Sequence, residues 1–191
     1  MDVLKLITEQ MNNQGTLSKL GQSVGAEPSQ VQQLAKLGMP ALLQALGRNA
    51  STSEGAAALA GALDDHKDDN VADVDGFLSN VNTADGAKML QHIFAGKNDM
   101  IKSKLANQTG LKSNQVSGLL SQMAPLLLGA LGQKKKEEKL DASGIAGMLS
   151  GLATQGGNNG IMGMVSNLLD SDKDGDIMDD VGNLLKGFLK K

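Results

Sequence analysis

Cysteine is absent from this 191-residue chain, which excludes disulfide bonds, thiolate metal sites and thiol catalysis. Tyrosine and tryptophan are absent as well, and the only aromatic residues are three phenylalanines. The core must therefore consist of Leu, Ala, Val, Ile and Met, which favours tightly packed helices over sheets. The longest apolar run, around residues 123–131, is about half of what a membrane-spanning helix needs. Since the start has no signal-peptide pattern, we expect a cytoplasmic protein without a membrane partner.

Acidic and basic residues are unevenly distributed along the chain. Residues 49–85 carry seven aspartates and Glu54 against a single lysine, whereas residues 96–139 carry eight lysines against three acidic residues. The formal net charge of −3 thus conceals an acidic segment followed by a basic one. This segregation indicates that the surface is not uniformly charged.

One stretch of the chain occurs twice. Residues 17–47, shifted by 85 positions, align without a gap on the stretch that ends at Gly132. The coinciding residues include Lys19/Lys104, Leu20/Leu105, Gly25/Gly110, Gln30/Gln115, Val31/Val116, Leu34/Leu119, Pro40/Pro125, Leu42/Leu127, Leu43/Leu128, Ala45/Ala130, Leu46/Leu131 and Gly47/Gly132. A match that combines turn glycines, a proline and periodic leucines predicts a duplicated folding unit.

Each copy has the spacing of a helix-turn-helix-like hairpin. Gly25 and Gly110 would permit a left-handed turn between two helices. Pro28 is typical of the first turn of a helix, where its missing N–H does no harm. We expect residues 38–40 to interrupt that helix, so that a separate short helix runs from Pro40 to Leu46.

These patterns predict an all-α protein in which two similar helical units share one core. The first helical repeat spans residues 1–63 and the second spans residues 86–152, with an acidic connector, 64–85, between them. A Gly-rich linker, 153–160, then leads into a C-terminal helix–loop–helix, 161–191, whose loop is rich in aspartate.

The second repeat contains a characteristic series of motifs. They are Gly86-x-x-x-Leu90-x-His92-Ile93-Phe94, Lys104-Leu105, Gly110-Leu111, Gln115-Val116-x-x-Leu119-Leu120, Ala124-Pro125-Leu126 and Gly129-Ala130-Leu131-Gly132. In this series the chain resembles the bacterial YidB-like family, a domain of unknown function (number 937). The resemblance covers residues 86–181 directly and residues 1–63 through the internal repeat. It implies a small all-helical fold with helix-turn-helix-like elements and no assigned activity.

The best-defined chemical feature is residues 170–177, which fit the opening of a calcium loop, D-x-D-x-D-G. Asp170, Asp172 and Asp174 would provide carboxylates at positions 1, 3 and 5, and a glycine stands at position 6 for the sharp turn. Asp176 would offer its backbone carbonyl at position 7. Predicted helices flank the loop on both sides, as such a site requires.

The end of this loop departs from the calcium pattern. Val181 stands at position 12, where a bidentate acid is usual, so Asp179 or Asp180 would have to substitute from a tightened loop. Repulsion between the aspartates, roughly 1 kcal/mol for each pair at about 5 Å, would be relieved by a divalent cation. The alternative is that Asp176, Asp179 and Asp180 only stabilise the N-terminus of the last helix. We predict a Ca²⁺ site formed by Asp170, Asp172, Asp174, Asp176 and Asp180.

Nucleic-acid binding through the hairpins is the alternative function. The second helix of each hairpin would have to offer side chains to bases and cations to phosphates. The expected exposed residues are Glu27, Ser29, Gln30, Gln32 and Gln33 in the first copy, and Lys112, Ser113, Asn114, Gln115 and Ser117 in the second, with Lys102, Lys104 and residues 134–136 nearby. The single arginine, Arg48, and the negative net charge argue against this function, because affinity depends on neutralising phosphates. Packing alone is the simpler use of the hairpins.

No catalytic residues are indicated, and we do not expect an enzyme. His66 and His92 lie in unrelated segments, and no P-loop is present. The sequence therefore predicts a non-enzymatic binding or scaffolding protein that binds calcium through its C-terminal loop. The partner would be another protein or, given the apolar Gly-rich helices, a second copy of the chain.

Overall fold

The computed structural model describes Glu9 and residues 11–155, except for the side chains of residues 153–155. Eight α-helices and no strands occur in this part of the chain, which confirms the all-α prediction there. They are α1 (Gln14–Val24), α2 (Pro28–Asn49), α3 (Ser53–His66), α4 (Val74–Asn80), α5 (Thr83–Ile93), α6 (Asn98–Thr109), α7 (Ser113–Glu138) and α8 (Ala142–Gln155).

The two predicted hairpins correspond to α1–α2 and α6–α7, and their turns are set by local conformation. Gly25 ends α1 with φ 68°, and Gly110 ends α6 with the same φ. A side chain in this left-handed region is strained, so glycine is favoured at both turns. The predicted glycine turns are thus confirmed. The origin of the hairpins in one duplicated unit stays a prediction.

Proline lies inside both long helices without ending them. Helix α2 continues through Pro40 and α7 continues through Pro125, so the predicted break at residues 38–40 and the separate Pro40–Leu46 helix are wrong. An internal proline costs about 3 kcal/mol, because it removes a hydrogen bond and crowds the preceding turn. Buried leucines lie on both sides of it in α2, such as Leu34 and Leu42. Burying each large apolar side chain contributes roughly 1.5–3 kcal/mol, which offsets the cost and keeps the helix continuous.

Helix α7 is the centre of the fold. From Val116 to Gly132 its residues are buried, apart from Ser117 and Gly118, which are partly exposed. Helices α3, α5 and α6 pack around it, with smaller contributions from α1, α2 and α4. A helix that is buried on all sides cannot show the one-sided apolar stripe of a surface helix. This explains why the leucines of α7 run almost continuously.

Helix α5 approaches α7 more closely than a side chain would allow. A Cβ atom on Gly86 would overlap the backbone carbonyl oxygen of Ser121. That oxygen has no helical N–H donor four residues on, because Pro125 stands there. The Gly86 Cα can therefore contact it as a weak C–H···O donor. The glycine and the proline together permit the close packing of these two helices.

The predicted acidic connector, 64–85, is largely helical. It contains the last turn of α3, all of α4 and the start of α5. Val71, Val74 and Leu78 are buried and attach this segment to the core. Helix α8 likewise extends to Gln155, so the predicted Gly-rich linker, 153–160, begins as helix and its remainder lies outside the described residues.

None of the helices in the described ranges combines the length and the apolar character needed to cross a lipid bilayer.

Candidate functional site

The predicted calcium ligands, Asp170, Asp172, Asp174, Asp176 and Asp180, lie outside the described residues. The calcium site is therefore still a prediction. Within the described residues, no group of three or more His, Asp or Glu side chains is arranged to hold a metal ion.

Three of the glutamines that were expected to face a nucleic acid instead join the two hairpins. Gln30 Nε2 donates to the Gly110 carbonyl at 3.0 Å, and Gln115 Nε2 donates to the Gly25 carbonyl at 2.6 Å. Gln33 Nε2 donates to the Gln108 carbonyl at 2.8 Å. The first two bonds are reciprocal, since each runs from the second helix of one hairpin to the turn glycine of the other. These amides are therefore occupied inside the protein.

The lysines at the end of α7 lie far from the start of that helix. Position 135 is about 33 Å along the axis from Ser113, at 1.5 Å per residue. There Lys135 Nζ contacts Asp64 Oδ1 at 2.5 Å and Lys136 Nζ contacts Asp68 Oδ1 at 2.6 Å. The basic segment thus neutralises part of the acidic segment, which accounts for some of the charge segregation along the chain.

These ion pairs alter the acidity of the two aspartates. The hydrogen bond from Lys135 lowers the pKa of Asp64, and the hydrogen bond and charge of Lys136 lower the pKa of Asp68. Both carboxylates are exposed to solvent, so the pairs contribute little stability and are sensitive to salt.

A shallow groove of about 470 Å³ lies between α5, α6 and α7. It is lined by small polar residues and one ion pair: Thr83, Asp99, Lys102, Ser113, Asn114, Ser117, Gly118 and Ser121. Three of its serines, 113, 117 and 121, are four positions apart and so share one face of α7. In the described part of the chain, their hydroxyl groups make no hydrogen bond to another residue. The groove therefore presents polar groups that are free to meet a ligand.

Sequence reasoning found only part of this groove. It placed Ser113, Asn114 and Ser117 on the surface and put Lys102 close to them, but it missed Thr83, Asp99 and Ser121. The four-residue spacing of the serines was a visible signal. The contribution of α5 to the groove could not be predicted from the sequence, because it depends on the close packing of Gly86 against α7.

The sequence 21–25, GQSVG, matches the G-x-S-x-G pattern of serine hydrolases, but its setting differs from theirs. That motif needs a strand, a sharp turn and a helix to present its serine. Here residues 21–24 form the end of α1. Ser23 Oγ donates to the Leu20 carbonyl at 2.8 Å and accepts from Gln122 Nε2 at 3.0 Å. This serine caps a helix end and supports packing on α7.

The two histidines lie in different surroundings. His66 Nδ1 lies 2.8 Å from Asp69 Oδ2, three residues further along, and His92 is exposed near the end of α5. No metal or proton-relay arrangement links them within the described residues.

The fold and the groove define an all-helical protein built around one buried central helix. A family profile described as a bacterial protein of unknown function (DUF937) matches residues 5–134, so the chain belongs to that family. This confirms the family resemblance seen in the sequence. No curated protein and no solved structure matches the chain.

Proposed function

We propose that this protein is a non-enzymatic binding or scaffolding protein of the cytoplasm, and that a segment of a partner protein binds in the groove between α5, α6 and α7. The observation that carries the proposal is the groove itself. It is an open groove of about 470 Å³, and three helices contribute polar side chains to its lining. Because α5 and α6 are both packed on the buried α7, the groove is formed by helices that belong to the packed core.

Site-specific photo-crosslinking in cells tests this proposal. A benzophenone amino acid in place of Ser113, an exposed groove residue, should form one discrete adduct that mass spectrometry identifies. Ser117→Trp should abolish that adduct by filling the groove, while circular dichroism shows that the helices are retained. An adduct with the chain itself would identify a second copy as the partner.

Ser143 provides the matched control for the crosslinking experiment. It is an exposed serine in the first turn of α8, as Ser113 is in α7, but it does not line the groove. A benzophenone at position 143 should give no equivalent adduct. Identical adducts from both positions, or an adduct that survives Ser117→Trp, would rule out the groove as the binding site.

We propose in addition that the C-terminal loop binds calcium. The support is the D-x-D-x-D-G sequence at residues 170–175. Isothermal titration calorimetry should detect Ca²⁺ binding that Asp172→Ala or Asp174→Ala removes, and EDTA should lower the melting temperature. Val181→Glu places an acid at position 12 and should tighten binding by more than about tenfold, since that residue normally binds the ion with both oxygens. The proposal fails if neither the wild-type chain nor Val181→Glu binds calcium at millimolar concentration.

DNA association through the second hairpin is the alternative proposal. Lys112, Ser113 and Asn114 are exposed and support it. Against it, Gln30, Gln33 and Gln115 are engaged between the hairpins, and Lys135 and Lys136 are paired with aspartates. Gel-shift measurements on random duplex DNA decide between the proposals, because binding of this kind must weaken steeply with added salt.

A further inference from the structure

The groove contains a lysine that is largely buried although its counterion is in solvent. The Lys102 side chain is 17% exposed, whereas its partner Asp99, 3.3 Å away, is fully exposed. The low exposure belongs to the whole side chain, whose aliphatic stem can pack on the protein while the ammonium group reaches the exposed carboxylate. An ion pair whose acidic member is fully hydrated is weak, so the ammonium group can also pair with another anion. A second anion inside the groove would therefore be attracted to Lys102.

A serine that is buried as a residue lines the same groove. Ser121 is only 3% exposed, yet it lines the groove, and its side chain makes no hydrogen bond to another described residue. Its hydroxyl oxygen is not among the fully buried polar atoms that lack a partner, so it reaches the surface of the groove. Ser117, one turn earlier on the same face of α7, is partly exposed, and its hydroxyl likewise makes no hydrogen bond to another described residue. Both groups can donate to an oxygen acceptor.

We propose that the ligand of this groove carries an anionic oxygen group, a carboxylate or a phosphate, which pairs with Lys102 and accepts hydrogen bonds from Ser117 and Ser121. This inference rests on the proposed function and specifies its chemistry. The carboxylate of Asp99 lines the groove too, and it opposes the ligand by competing for Lys102. No acidic residue occurs in the first turn of α7, whose N-terminal dipole adds to the attraction.

The test is an NMR titration of the full chain with inorganic phosphate and, separately, with acetate. Sodium chloride at matched ionic strength is the reference. The amide signals of Ser117 and Ser121 should shift in a saturable way with at least one of the two anions. The anion that binds more tightly identifies whether the ligand group is a phosphate or a carboxylate.

Variants on the two sides of the ion pair should act in opposite directions. Lys102→Gln should weaken anion binding by more than about tenfold, since a charge-assisted contact is lost. Asp99→Asn should tighten it by about two- to fivefold, which is the scale of an exposed ion pair. Ser121→Ala should weaken binding by about two- to tenfold, the usual effect of one hydrogen bond.

A second pair provides the matched control. Asp85 and Lys88 have the same three-residue spacing, at 3.0 Å, but do not line the groove. Asp85→Asn and Lys88→Gln should leave anion affinity unchanged. The inference is overturned if sodium chloride produces the same shifts, or if Lys102→Gln binds like the wild type while its thermal melt shows an intact fold.

The two proposals can fail separately. A crosslink at position 113 without anion binding would overturn only the anionic character of the ligand. Anion binding that depends on Lys102, without a crosslink, would uphold the anion site and overturn the protein partner.

Discussion

The same substitution should have opposite effects at Gly86 and Gly61, because a neighbouring atom occupies the position of the added side chain only at Gly86. A methyl group on Gly86 would overlap the Ser121 carbonyl, whereas nothing lies within 4 Å of the position at Gly61. Gly86→Ala should therefore lower the free energy of unfolding by about 2 kcal/mol, the usual cost of forcing an extra carbon into a packed site. Urea denaturation followed by circular dichroism at 222 nm measures this change.

Gly61→Ala is the control for that prediction. Gly61 is an exposed residue inside α3, where alanine is the better helix former. We expect it to raise the free energy of unfolding by about 0.5–1 kcal/mol. Equal effects at the two positions would contradict the close contact between α5 and α7.

At the scale of the helices, the reciprocal glutamine contacts link the hairpin α1–α2 to the hairpin α6–α7. Gln115 donates to the Gly25 carbonyl at 2.6 Å, and its Oε1 accepts from the Lys112 backbone N–H at 2.9 Å. Gln115→Ala removes both the link to the first hairpin and the helix cap, so it should cost about 1–2 kcal/mol in the same urea experiment. Gln91→Ala, at an exposed position of α5, should cost nothing measurable. A Gln115→Ala variant as stable as Gln91→Ala would show that the link does not support the fold.

Elements fixed by local chemistry could be predicted from the sequence, and elements fixed by packing could not. Gly25 and Gly110 mark turns because glycine alone adopts their conformation without strain, a property of single residues. Pro40 was expected to end a helix for an equally local reason. That expectation was wrong because burial of the flanking leucines outweighs the proline, and burial is a property of the whole core.

At the scale of the whole molecule, neither the groove nor the pairing of the charged segments could be predicted from the sequence. The groove combines Thr83, Asp99, Lys102 and five residues of α7, which are adjacent only after α5 and α6 have packed on that helix. The charge segregation was visible in the sequence. Its meaning was not, because the sequence does not show that Lys135 and Lys136 meet Asp64 and Asp68 about 70 positions earlier.

This pairing predicts how stability depends on pH. The pKa values of Asp64 and Asp68 are lowered in the folded protein from the ordinary value of 3.8. The unfolded state therefore binds protons first as pH falls. The stability that the two pairs contribute is complete above about pH 5 and is lost as pH falls below 3.8 through the folded-state pKa values. The loss should be small, because the carboxylates are exposed, and 1 M salt should suppress it.

An Asp64→Asn, Asp68→Asn double variant isolates this contribution. It should be slightly less stable than the wild-type chain at pH 6, and the difference should shrink as pH falls below 3.8, since the wild-type aspartates then become protonated too. Asp65→Asn, at an exposed aspartate that forms no ion pair with another described residue, should match the wild type at pH 6 and at pH 2.5. A difference that stays constant between pH 6 and pH 2.5 would mean that the asparagines disturb packing rather than charge.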